Sequence, residues 1–404
     1  MVSTSKQLHS RTRRQLGRRA LAAGAAAVAV AALQASPASA HGAGPSGPDL
    51  RVVATGLDNP RGITLGPDGA LYVAESGRGA ADPATASCIV TTDPESGEQV
   101  TNCFGKTSAI TRISGGHQRR VVTGLPSVAD ASGAGAGGVS SVAVGPHGEL
   151  AGIIGCGCDP RDVAANTPAA AVPYVGHVIW MDARHNRYRV GANVSAFELN
   201  NPDAADPGSG FDTNPYALTW GPRGSLLVAD AGGNDVLSVS RRGHVSLASV
   251  LHARLVDAPP FLGLPTGTKI PMQAVPNSIT RGPDGAYYVG QLTGFPFPVG
   301  AANVYRIVPG HAPQVVASGF TNIIGITFDH KGRLVVLEIA TNSLLDETSP
   351  GALWVVDRHG HKTLVAKDGL VQPGGVVVGR DGRAYVTNFS VLPAQGQVVS
   401  VRLP

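Results

Sequence analysis

A short hairpin unit recurs along this chain of 404 residues and constrains its fold more than any other feature. In the first copy, residues 59–76, two apolar runs flank the turn Gly66-Pro67-Asp68-Gly69. Proline presets φ at the second turn position, aspartate bonds its own backbone, and glycine tolerates a positive φ. Valine, isoleucine and tyrosine beside the turn favour strands, so the unit predicts a tight β-hairpin. Five further copies occupy residues 139–154, 214–230, 277–291, 322–338 and 374–388.

Internal repeats of this kind predict a propeller or a solenoid. A second pair of strand-like segments follows the hairpin, at residues 109–113 and 120–123 in the first repeat and at 236–240 and 245–249 in the third. Four short antiparallel strands repeated six times are typical of a six-bladed β-propeller. We therefore predict an all-β fold in which residues 48–404 form one domain.

The two ends of the repeat region complement each other. The sixth repeat stops at Pro404 without an outer strand, and residues 49–57 resemble the outer-strand segment of the first repeat, residues 121–125. We predict that the N-terminal strand completes the last blade, which closes the ring and hides a sheet edge.

Long connections fall at one end of the predicted blades. Those after second strands are residues 77–108, 155–175, 292–302 and 339–351, and those between blades are 126–138, 200–213 and 251–275. In a propeller both kinds of connection emerge on the same face, which we call the loop-rich face. Because loops on a rigid scaffold usually carry function, we expect binding there and a structural role for the face that carries the Gly-Pro-Asp-Gly turns.

Residues 1–40 predict an export signal. Five arginines between Arg11 and Arg19 precede an alanine-rich core, residues 21–33, and the cleavage motif Ala38-Ser39-Ala40. The core is too short to span a bilayer, so we expect no membrane anchor. Arg13-Arg14 favours twin-arginine export, with the general secretory route as the alternative. The mature chain would begin near His41 with a flexible linker, residues 41–47.

Removal of that signal changes the charge of the chain. Lysine and arginine fall from 32 to 26 against 28 acidic residues, so the net charge changes from +4 to −2. The remaining chain has no excess of basic residues that would indicate nucleic-acid binding. We expect a secreted monomer that has no membrane span and does not bind nucleic acid.

Four cysteines in an exported chain favour disulfides. Cys88 and Cys103 bracket a polar insertion, which a bond between them would staple. Cys156 and Cys158 are separated by one residue, and a bond across so short a span is strained. Three pairings are open; we predict Cys88–Cys103 with Cys156–Cys158, in structural rather than redox roles.

Asparagines recur where the predicted first strands begin. Asn59, Asn214 and Asn322 lie seven residues before the first turn residue of their repeats, and Asn277 lies five residues before it. Counting five residues back in every repeat gives Arg61, Ser140, Tyr216, Asn277, Ile324 and Gly374. We expect both sets to ring the channel mouth on the loop-rich face, where the asparagine oxygens would suit Ca²⁺. The alternative is that each asparagine caps the turn leading into its blade.

Carboxylates end three of the predicted second strands, at Glu75, Asp230 and Glu338. If they point inward, they would serve as metal ligands or as a general base, and Glu75 and Glu338 are the candidate catalytic residues because long loops follow them. The alternative is a structural role, in which each carboxylate bonds the backbone N–H groups of the next loop.

Two apolar segments, residues 259–262 and 295–298, fall in loops of the same face. They would line a groove for an apolar or aromatic ligand, or pack on each other. No close pair of histidine and cysteine has zinc spacing, and no G-x-S-x-G nucleophile motif occurs.

The chain resembles the ScyD/ScyE family of exported proteins, which is widespread in actinobacteria. The resemblance covers residues 48–404 and rests on VVATGLDNPRGITLGPDGALYVAESG at 52–77, FGKTSAITRI at 104–113 and VVTGLPS at 121–127. The blade units are also similar to NHL-type repeats. Cys156-Gly157-Cys158 departs from the family pattern. The resemblance implies a propeller fold and an exported location, and it brings no established reaction or catalytic residues.

Two classes of function stay open. The first is an extracytoplasmic binding or scaffold protein that holds a small molecule, glycan or protein at the loop-rich face. The second is a calcium-dependent propeller hydrolase, lactonase or lyase, in which the four asparagines hold the ion and Glu75 or Glu338 is the base. Propellers host both classes. We favour binding, because the predicted ring at the channel mouth contains no acid.

Overall fold

The computed structural model of the protein describes residues 50–92, 97, 99–201 and 210–404. The predicted export signal, residues 1–40, and linker, residues 41–47, lie outside these. Antiparallel sheets dominate the described residues and form the six blades of a β-propeller. The first described strand is β1 (Arg51–Leu57).

The first three blades follow the repeat phase of the sequence. Blade 1 consists of β2 (Pro60–Leu65), β3 (Leu71–Glu75), β5 (Gln99–Ser114) and β6 (His117–Ala129), with β4 (Cys88–Thr92) paired to β5. Blade 2 consists of β7 (Val139–Val144), β8 (Leu150–Ile154), β9 (His177–Asp182) and β10 (Arg187–Asn193). Blade 3 consists of β11 (Pro215–Trp220), β12 (Leu226–Asp230), β13 (Asp235–Val239) and β14 (Val245–Val250).

The last three blades repeat the same order. Blade 4 consists of β17 (Pro276–Arg281), β18 (Tyr287–Gln291), β19 (Ala302–Ile307) and β20 (Gln314–Phe320). Blade 5 consists of β21 (Ile323–Phe328), β22 (Leu334–Glu338), β23 (Ala352–Val356) and β24 (Lys362–Ala366). Blade 6 consists of β25 (Gly375–Val378), β26 (Arg383–Asn388), β27 (Gly396–Arg402) and β1.

The N-terminal strand closes the ring, as predicted. β1 pairs with β27 in antiparallel register, with Arg51 opposite Ser400 and Leu57 opposite Gly396. Ala54 and Leu57 are buried and join the core cluster between blades 6 and 1. The all-β, six-bladed prediction is therefore confirmed, including the strand that completes the last blade.

One apolar cluster fills each interface between neighbouring blades. The cluster between blades 1 and 2, for example, combines Ala74 and Ile110 with Val142 and Leu150. The same pattern holds around the ring, because alternate residues of each strand face opposite sides of the blade. This packing fixes the blades relative to one another and thereby the channel at their centre.

Two connections predicted as loops contain strands. The insertion after β3 forms a hairpin of β4 with the first part of β5, which starts at Gln99 instead of the predicted 109. The extension of β5 also pairs with β6, at Phe104 and Val128, and this longer pairing satisfies the backbone of the insertion. The connection between blades 3 and 4 likewise holds a hairpin, β15 (Arg254–Asp257) with β16 (Lys269–Met272).

Helices are short and confined to connections in the part of the chain that is described. α1 (Val163–Asn166) follows β8, and α2 (Phe197–Asn200) lies between blades 2 and 3. Two 3₁₀ turns occupy Pro222–Gly224 and Pro260–Leu262. None of the helices in the described ranges has the length and apolar character needed to cross a membrane.

Candidate functional site

The six first strands surround a central channel with an empty volume of about 770 Å³, open solvent included. Its polar lining side chains carry hydroxyl, amide and indole groups: Thr64, Ser140, Ser141, Tyr216, Thr219, Trp220, Asn277, Ser278, Thr280 and Thr327. Across residues 50–92, 97, 99–201 and 210–404, none of the lining side chains carries a charge. The channel therefore suits an uncharged polar molecule better than an ion.

A β-bulge near the start of the first strand selects the residues at the mouth. In blade 3, Pro215 pairs with Asp230 and Ala217 with Ala229, so Tyr216 is the extra residue. Blades 2, 4 and 5 have the same irregularity, with Ser140, Asn277 and Ile324 as the extra residues. Bulges re-aim side chains, and all four of these residues line the channel. All four belong to the set of residues that lie five positions before the first turn residue, which the sequence analysis expects at the channel mouth.

The mouth on the loop-rich face has an apolar side and a polar side. Tyr216, Leu292 and Ile339 pack against the core cluster that contains Ile324. On the polar side, the hydroxyl of Ser140 donates to the carbonyl of Tyr216 at 2.7 Å. The hydroxyl of Ser278 is buried without a hydrogen-bond partner. Such a mixed surface can pack against one face of a ligand and orient its polar groups.

Arg61 occupies the corresponding position in blade 1. It is half-buried, and its guanidinium lies 3.5 Å from the carbonyl oxygen of Ala136, which belongs to the connection between blades 1 and 2. The neutral lining of the channel thus has one cationic group close to its mouth on this side.

The four predicted asparagine ligands do not converge. Only Asn277 lines the channel. Asn59 is fully buried, and its amide nitrogen donates to the carbonyls of Gly77 at 2.7 Å and Gly133 at 2.8 Å. Asn322 is also fully buried and donates to the carbonyl of Leu292 at 2.8 Å. Asn214 is directed toward Gly155, where an added Cβ would clash with its Oδ1 atom.

The backbone explains why Asn59 and Asn322 differ from Asn277. Both have a positive φ, 49° and 44° respectively, in the left-handed region that asparagine adopts more readily than most residues. Their amide groups are directed to neighbouring loops, although the Oδ1 atom of each is buried without a partner. Their role as metal ligands, like that of Asn214 and Asn277, stays a prediction.

Glu75 lies in a buried polar network outside the channel lining. Its carboxylate accepts hydrogen bonds from the Asp58 backbone N–H at 2.8 Å and from the Thr111 hydroxyl at 2.5 Å. Arg120 donates to both carboxylate oxygens, at 3.0 and 2.7 Å, and to Asp58 at 3.0 Å. Each carboxylate oxygen of Glu75 thus accepts two hydrogen bonds, and these bonds fix the backbone that leads into blade 1.

Glu338 has the equivalent position in blade 5. Its Oε1 accepts the backbone N–H of Thr321 at 2.6 Å, and its Oε2 accepts the indole N–H of Trp354 at 2.9 Å. Burial raises the pKa of Glu338, and these two hydrogen bonds oppose the rise. Glu338 is absent from the lining of the channel. A catalytic role for Glu75 or Glu338 stays a prediction.

Asp230 is the acid at the end of the second strand of blade 3. It accepts hydrogen bonds from the Thr213 hydroxyl and from the backbone N–H groups of Asn214, Gly232 and Gly233, at 2.5–3.1 Å. Burial raises the pKa of Asp230, and these four donors oppose that rise. In blades 1, 3 and 5 alike, the acid at the end of the second strand therefore bonds the backbone just before the first strand.

Calcium does not fit the channel that these residues form. Ca²⁺ takes six to eight oxygen ligands, and proteins supply several of them as carboxylates. The lining offers one amide and several hydroxyl groups, and the three acids are engaged elsewhere. Among the described residues, no three His, Cys, Asp or Glu side chains are arranged as a metal-binding group.

Two further acids, Asp235 in blade 3 and Asp212 in the connection that precedes it, were missed by sequence reasoning. Asp235 is fully buried, and both of its carboxylate oxygens lack a hydrogen-bond partner. Burial and the charges of Asp230 and Glu198 raise its pKa well above the usual value. Burial and the charge of Asp230 also raise the pKa of Asp212 to about 7. The signal was present in the sequence, since Asp235 follows Asp230 by five residues and directly precedes the strand predicted at residues 236–240.

Aromatic side chains form a cluster within loops of the loop-rich face. Phe295 meets Phe261 and Phe297 edge to face, with ring centroids 6.2 and 6.4 Å apart. Phe261 nevertheless keeps 66% of its surface exposed. The segments 259–262 and 295–298 therefore pack on each other and also present an apolar surface.

The cysteines are paired as predicted. Cys88 and Cys103 form a disulfide between opposed residues of β4 and β5. Cys156 and Cys158 are joined to each other, and Cys158 forms an isolated β-bridge with Thr213 just before β11. Within the described ranges there is no free cysteine.

The sheet order, the closing strand and the neutral central channel define the class of this protein, a six-bladed β-propeller. Solved structures described as a regucalcin from Agrobacterium tumefaciens, a gluconolactonase from Xanthomonas campestris and a virginiamycin B lyase from Staphylococcus aureus are similar to it. The regucalcin is 12% identical, covers 88% of this chain and 93% of its own, and has a TM-score of 0.47. The gluconolactonase is 14% identical, covers 90% of this chain and 99% of its own, and has a TM-score of 0.44. The virginiamycin B lyase is 11% identical, covers 88% of this chain and 99% of its own, and has a TM-score of 0.44. These values are too low to assign an activity to the chain.

No protein-family model matches the chain, and no curated protein matches it. Membership of the ScyD/ScyE family therefore stays a prediction.

Proposed function

We propose that the protein is an exported binding protein that holds a small, uncharged polar molecule at the mouth of its central channel on the loop-rich face. Export rests on the predicted signal and on the Cys88–Cys103 disulfide, which is typical of oxidising compartments. The observation that carries the binding proposal is the channel lining, in which hydroxyl and amide groups occur without a charged side chain among the described residues.

The bulged residues supply the recognition surface. Asn277 offers an amide that both donates and accepts, and no hydrogen bond engages its side chain in the described part of the protein. Tyr216 offers a ring face with a hydroxyl at its edge, which suits the apolar face and the polar rim of a sugar-like or amide-bearing molecule. Arg61 is placed to donate to a carbonyl or hydroxyl oxygen at the rim of such a ligand.

The hydrolase or lyase alternative requires a proton donor or acceptor within reach of the reacting atoms. None of the described lining side chains is a carboxylate, histidine, lysine or cysteine, and Glu75 and Glu338 are bonded elsewhere. The similar structures include proteins described as a gluconolactonase and a lyase, so lactones and esters belong in the test.

Isothermal titration and thermal shift on the purified chain, with a panel of sugars, polyols, amides, lactones and esters, test the proposal. We expect one ligand class to bind with a 1:1 ratio and to lose at least about tenfold in affinity in Asn277→Ala and in Tyr216→Ala, which corresponds to about 1.4 kcal/mol. Arg358→Ala, an exposed change on the opposite face, is the control and should bind as the parent chain does.

Two results would count against this function. Binding that is unchanged in both channel variants would place the ligand elsewhere. Turnover of a lactone or ester by the parent chain, lost in the channel variants, would replace the binding proposal with the enzyme alternative.

A further inference from the structure

The face that carries the Gly-Pro-Asp-Gly turns has a cluster of arginines on blades 2 and 3. They lie in the turn before β10, on β10 itself and in the two turns of blade 3, and each is exposed: Arg184, Arg187, Arg189, Arg223, Arg241 and Arg242. We call them the basic patch. The predicted mature chain has 26 basic and 28 acidic residues, so the fold, and not the composition, concentrates positive charge here.

In blades 1 and 4, an acid in the turn between the first two strands neutralises an arginine on this face. Asp68 pairs with Arg112 at 2.8 Å, and Asp284 pairs with Arg306 at 2.7 Å. Blade 3 has Arg223 at the turn position of these aspartates, so a further cation replaces the acid. Among the described residues, no acid forms an ion pair with an arginine of the basic patch.

Two acids of blades 2 and 3 lie at this end of the described strands, and both are bonded locally. Glu149 accepts the backbone N–H of His147 at 2.9 Å, and a carboxylate oxygen of Asp182 lies 2.7 Å from Nδ1 of His185. Six arginines against two acids leave an excess of four positive charges, with the histidines counted as neutral. An excess of this kind attracts anions and concentrates them at the surface.

Two tryptophans extend the patch across the boundary between blades 2 and 3. The guanidinium of Arg189 lies 5.4 Å from the centre of the Trp180 ring, and the rings of Trp180 and Trp220 are 6.0 Å apart. Both rings are half-buried at the edge of the core cluster between these blades. The surface therefore combines cationic groups with aromatic rings.

The turns of blade 3 bring its arginines toward blade 2. A Cβ added to Gly243 would lie 3.9 Å from the Cβ atom of Ala192, so the second turn of blade 3 packs beside β10. A Cβ added to Gly224 would lie 3.0 Å from Cζ of Arg241, so the two turns of blade 3 are also in contact. The basic patch is thus one continuous surface on two blades.

We propose that the basic patch binds an acidic polysaccharide of the cell exterior, a polymer whose sugar rings carry carboxylate groups. Guanidinium groups bind carboxylates through paired hydrogen bonds. Arginines spread over two blades suit a chain of repeated anionic groups better than one small anion, and the half-buried ring of Trp180 offers a face for a sugar ring. This surface lies on the opposite face from the channel mouth and does not depend on the ligand proposed there.

The tips of blades 2 and 3 favour a soluble polymer over a membrane. Their turns, residues 145–148, 183–186, 222–224 and 241–243, contain no Leu, Ile, Val, Met, Phe, Tyr or Trp. Proteins that lie on a membrane bury apolar side chains in the headgroup region besides using basic residues. The basic patch has the charges and lacks apolar tips.

Titration of the purified chain with polygalacturonate, and with dextran as the neutral polysaccharide, tests this surface. We expect polygalacturonate to bind and dextran not to, with an affinity that falls steeply from about 50 to about 200 mM NaCl because counterions are released. Arg189→Gln with Arg241→Gln should lower the affinity at least about tenfold and reduce its salt dependence. Arg78→Gln with Lys106→Gln, exposed changes on the loop-rich face that remove the same charge, should bind as the parent chain does.

Three results would overturn this assignment. The first is a parent chain that does not bind polygalacturonate at about 50 mM NaCl. The second is an equal loss in both double variants, which would show that the total charge and not the basic patch controls binding. The third is tighter binding to phosphatidylglycerol vesicles or to a DNA duplex than to polygalacturonate, which would make the patch a surface for a membrane or for nucleic acid.

Discussion

Arg120 donates hydrogen bonds to both carboxylate oxygens of the buried Glu75, at 3.0 and 2.7 Å. The guanidinium comes from β6, the outermost strand of blade 1, and reaches the end of β3 near the blade's interior. The relationship ties the outer edge of the blade to the turn that leads into its first strand.

We predict that Arg120→Ala destabilises the protein by about 2–4 kcal/mol, because it leaves Glu75 and the buried Asp58 without their cation. Chemical denaturation measures the change. Arg112→Ala is the matched control, since it breaks an exposed pair with Asp68 and should cost about 1 kcal/mol or less. Equal losses in the two variants would show that the buried network contributes no more than a surface pair.

The second prediction concerns the asparagine that precedes blade 5. Asn322→Ala removes its bond to the Leu292 carbonyl and places alanine at a φ of 44°, so we expect a loss of about 2–3 kcal/mol. Asn322→Gly should be milder, because glycine accepts this conformation. Thermal melts rank the two variants.

Asn322→Ala and Asn322→Gly also test whether Asn322 is a calcium ligand at the channel mouth. If Asn322 caps the turn, both variants should bind ligands and metal as the parent chain does once folded. A selective loss of metal binding in Asn322→Gly, with stability retained, would return Asn322 to the role of ligand.

A half-buried histidine, His177, makes the stability of the protein depend on pH. His177 is half-buried, and burial lowers its pKa below 6.5, although a hydrogen bond of 2.8 Å between its Nδ1 and the Val175 carbonyl opposes the shift. The unfolded chain therefore binds a proton at a higher pH than the folded chain does. The stability that neutral His177 contributes is complete above pH 6.5 and is lost as the pH falls through its lower folded value.

Denaturation of the parent chain and of His177→Gln between pH 8 and about pH 5 should show a more unfavourable change in the stability of the parent than of the variant as the pH falls. The comparison is needed because Asp212, whose pKa is raised to about 7, changes the stability of both chains in the opposite direction. His359→Gln, an exposed change, is the control and should follow the parent curve. If the stability of His177→Gln changed with pH as that of the parent chain does, groups other than His177 would cause the pH dependence.

The disulfide of blade 1 should act locally. Cys88 and Cys103 join opposed residues of a hairpin that extends beyond the blade, and loop closure over about 15 residues corresponds to about 3 kcal/mol in the chain-entropy model. Because the hairpin adds little to the cores between blades, we expect the double change Cys88→Ser with Cys103→Ser to accelerate proteolysis between these positions with a small change in Tm. The double change Cys156→Ser with Cys158→Ser should leave cleavage there unaltered.

Much of this fold was predictable because its signals are local. The turn Gly66-Pro67-Asp68-Gly69 and its counterparts mark the first and second strands, and the alternation of apolar residues gives the strand faces. Closure was also predictable, since one strand was missing at one end and available at the other. The strand signals depend on chemistry within a few residues, and the closing strand follows from comparing the two ends of the repeat region.

The site was less predictable because it depends on small irregularities of the backbone. A bulge at Tyr216 or Asn277 sends the fifth residue before the turn into the channel, while the left-handed Asn59 and Asn322 direct their amides to neighbouring loops. Counting alone treats these positions as equivalent. The partners of Glu75, above all Arg120 from a distant strand, are likewise set by packing between strands and not by local pattern.

The seam between β1 and β27 has a consequence for how the ring is assembled. The strands that meet there lie at opposite ends of the repeat region. Among the six blades, blade 6 alone cannot be completed until the last strand of the chain has been synthesised. Five blades have all their own strands as soon as their segment emerges, whereas the seam must wait for the last of them. Contacts so far apart in sequence form slowly, and until they form β27 has an unpaired edge. We therefore expect the seam to form last, and until then the open edge of β27 is where a strand of a neighbouring chain could pair.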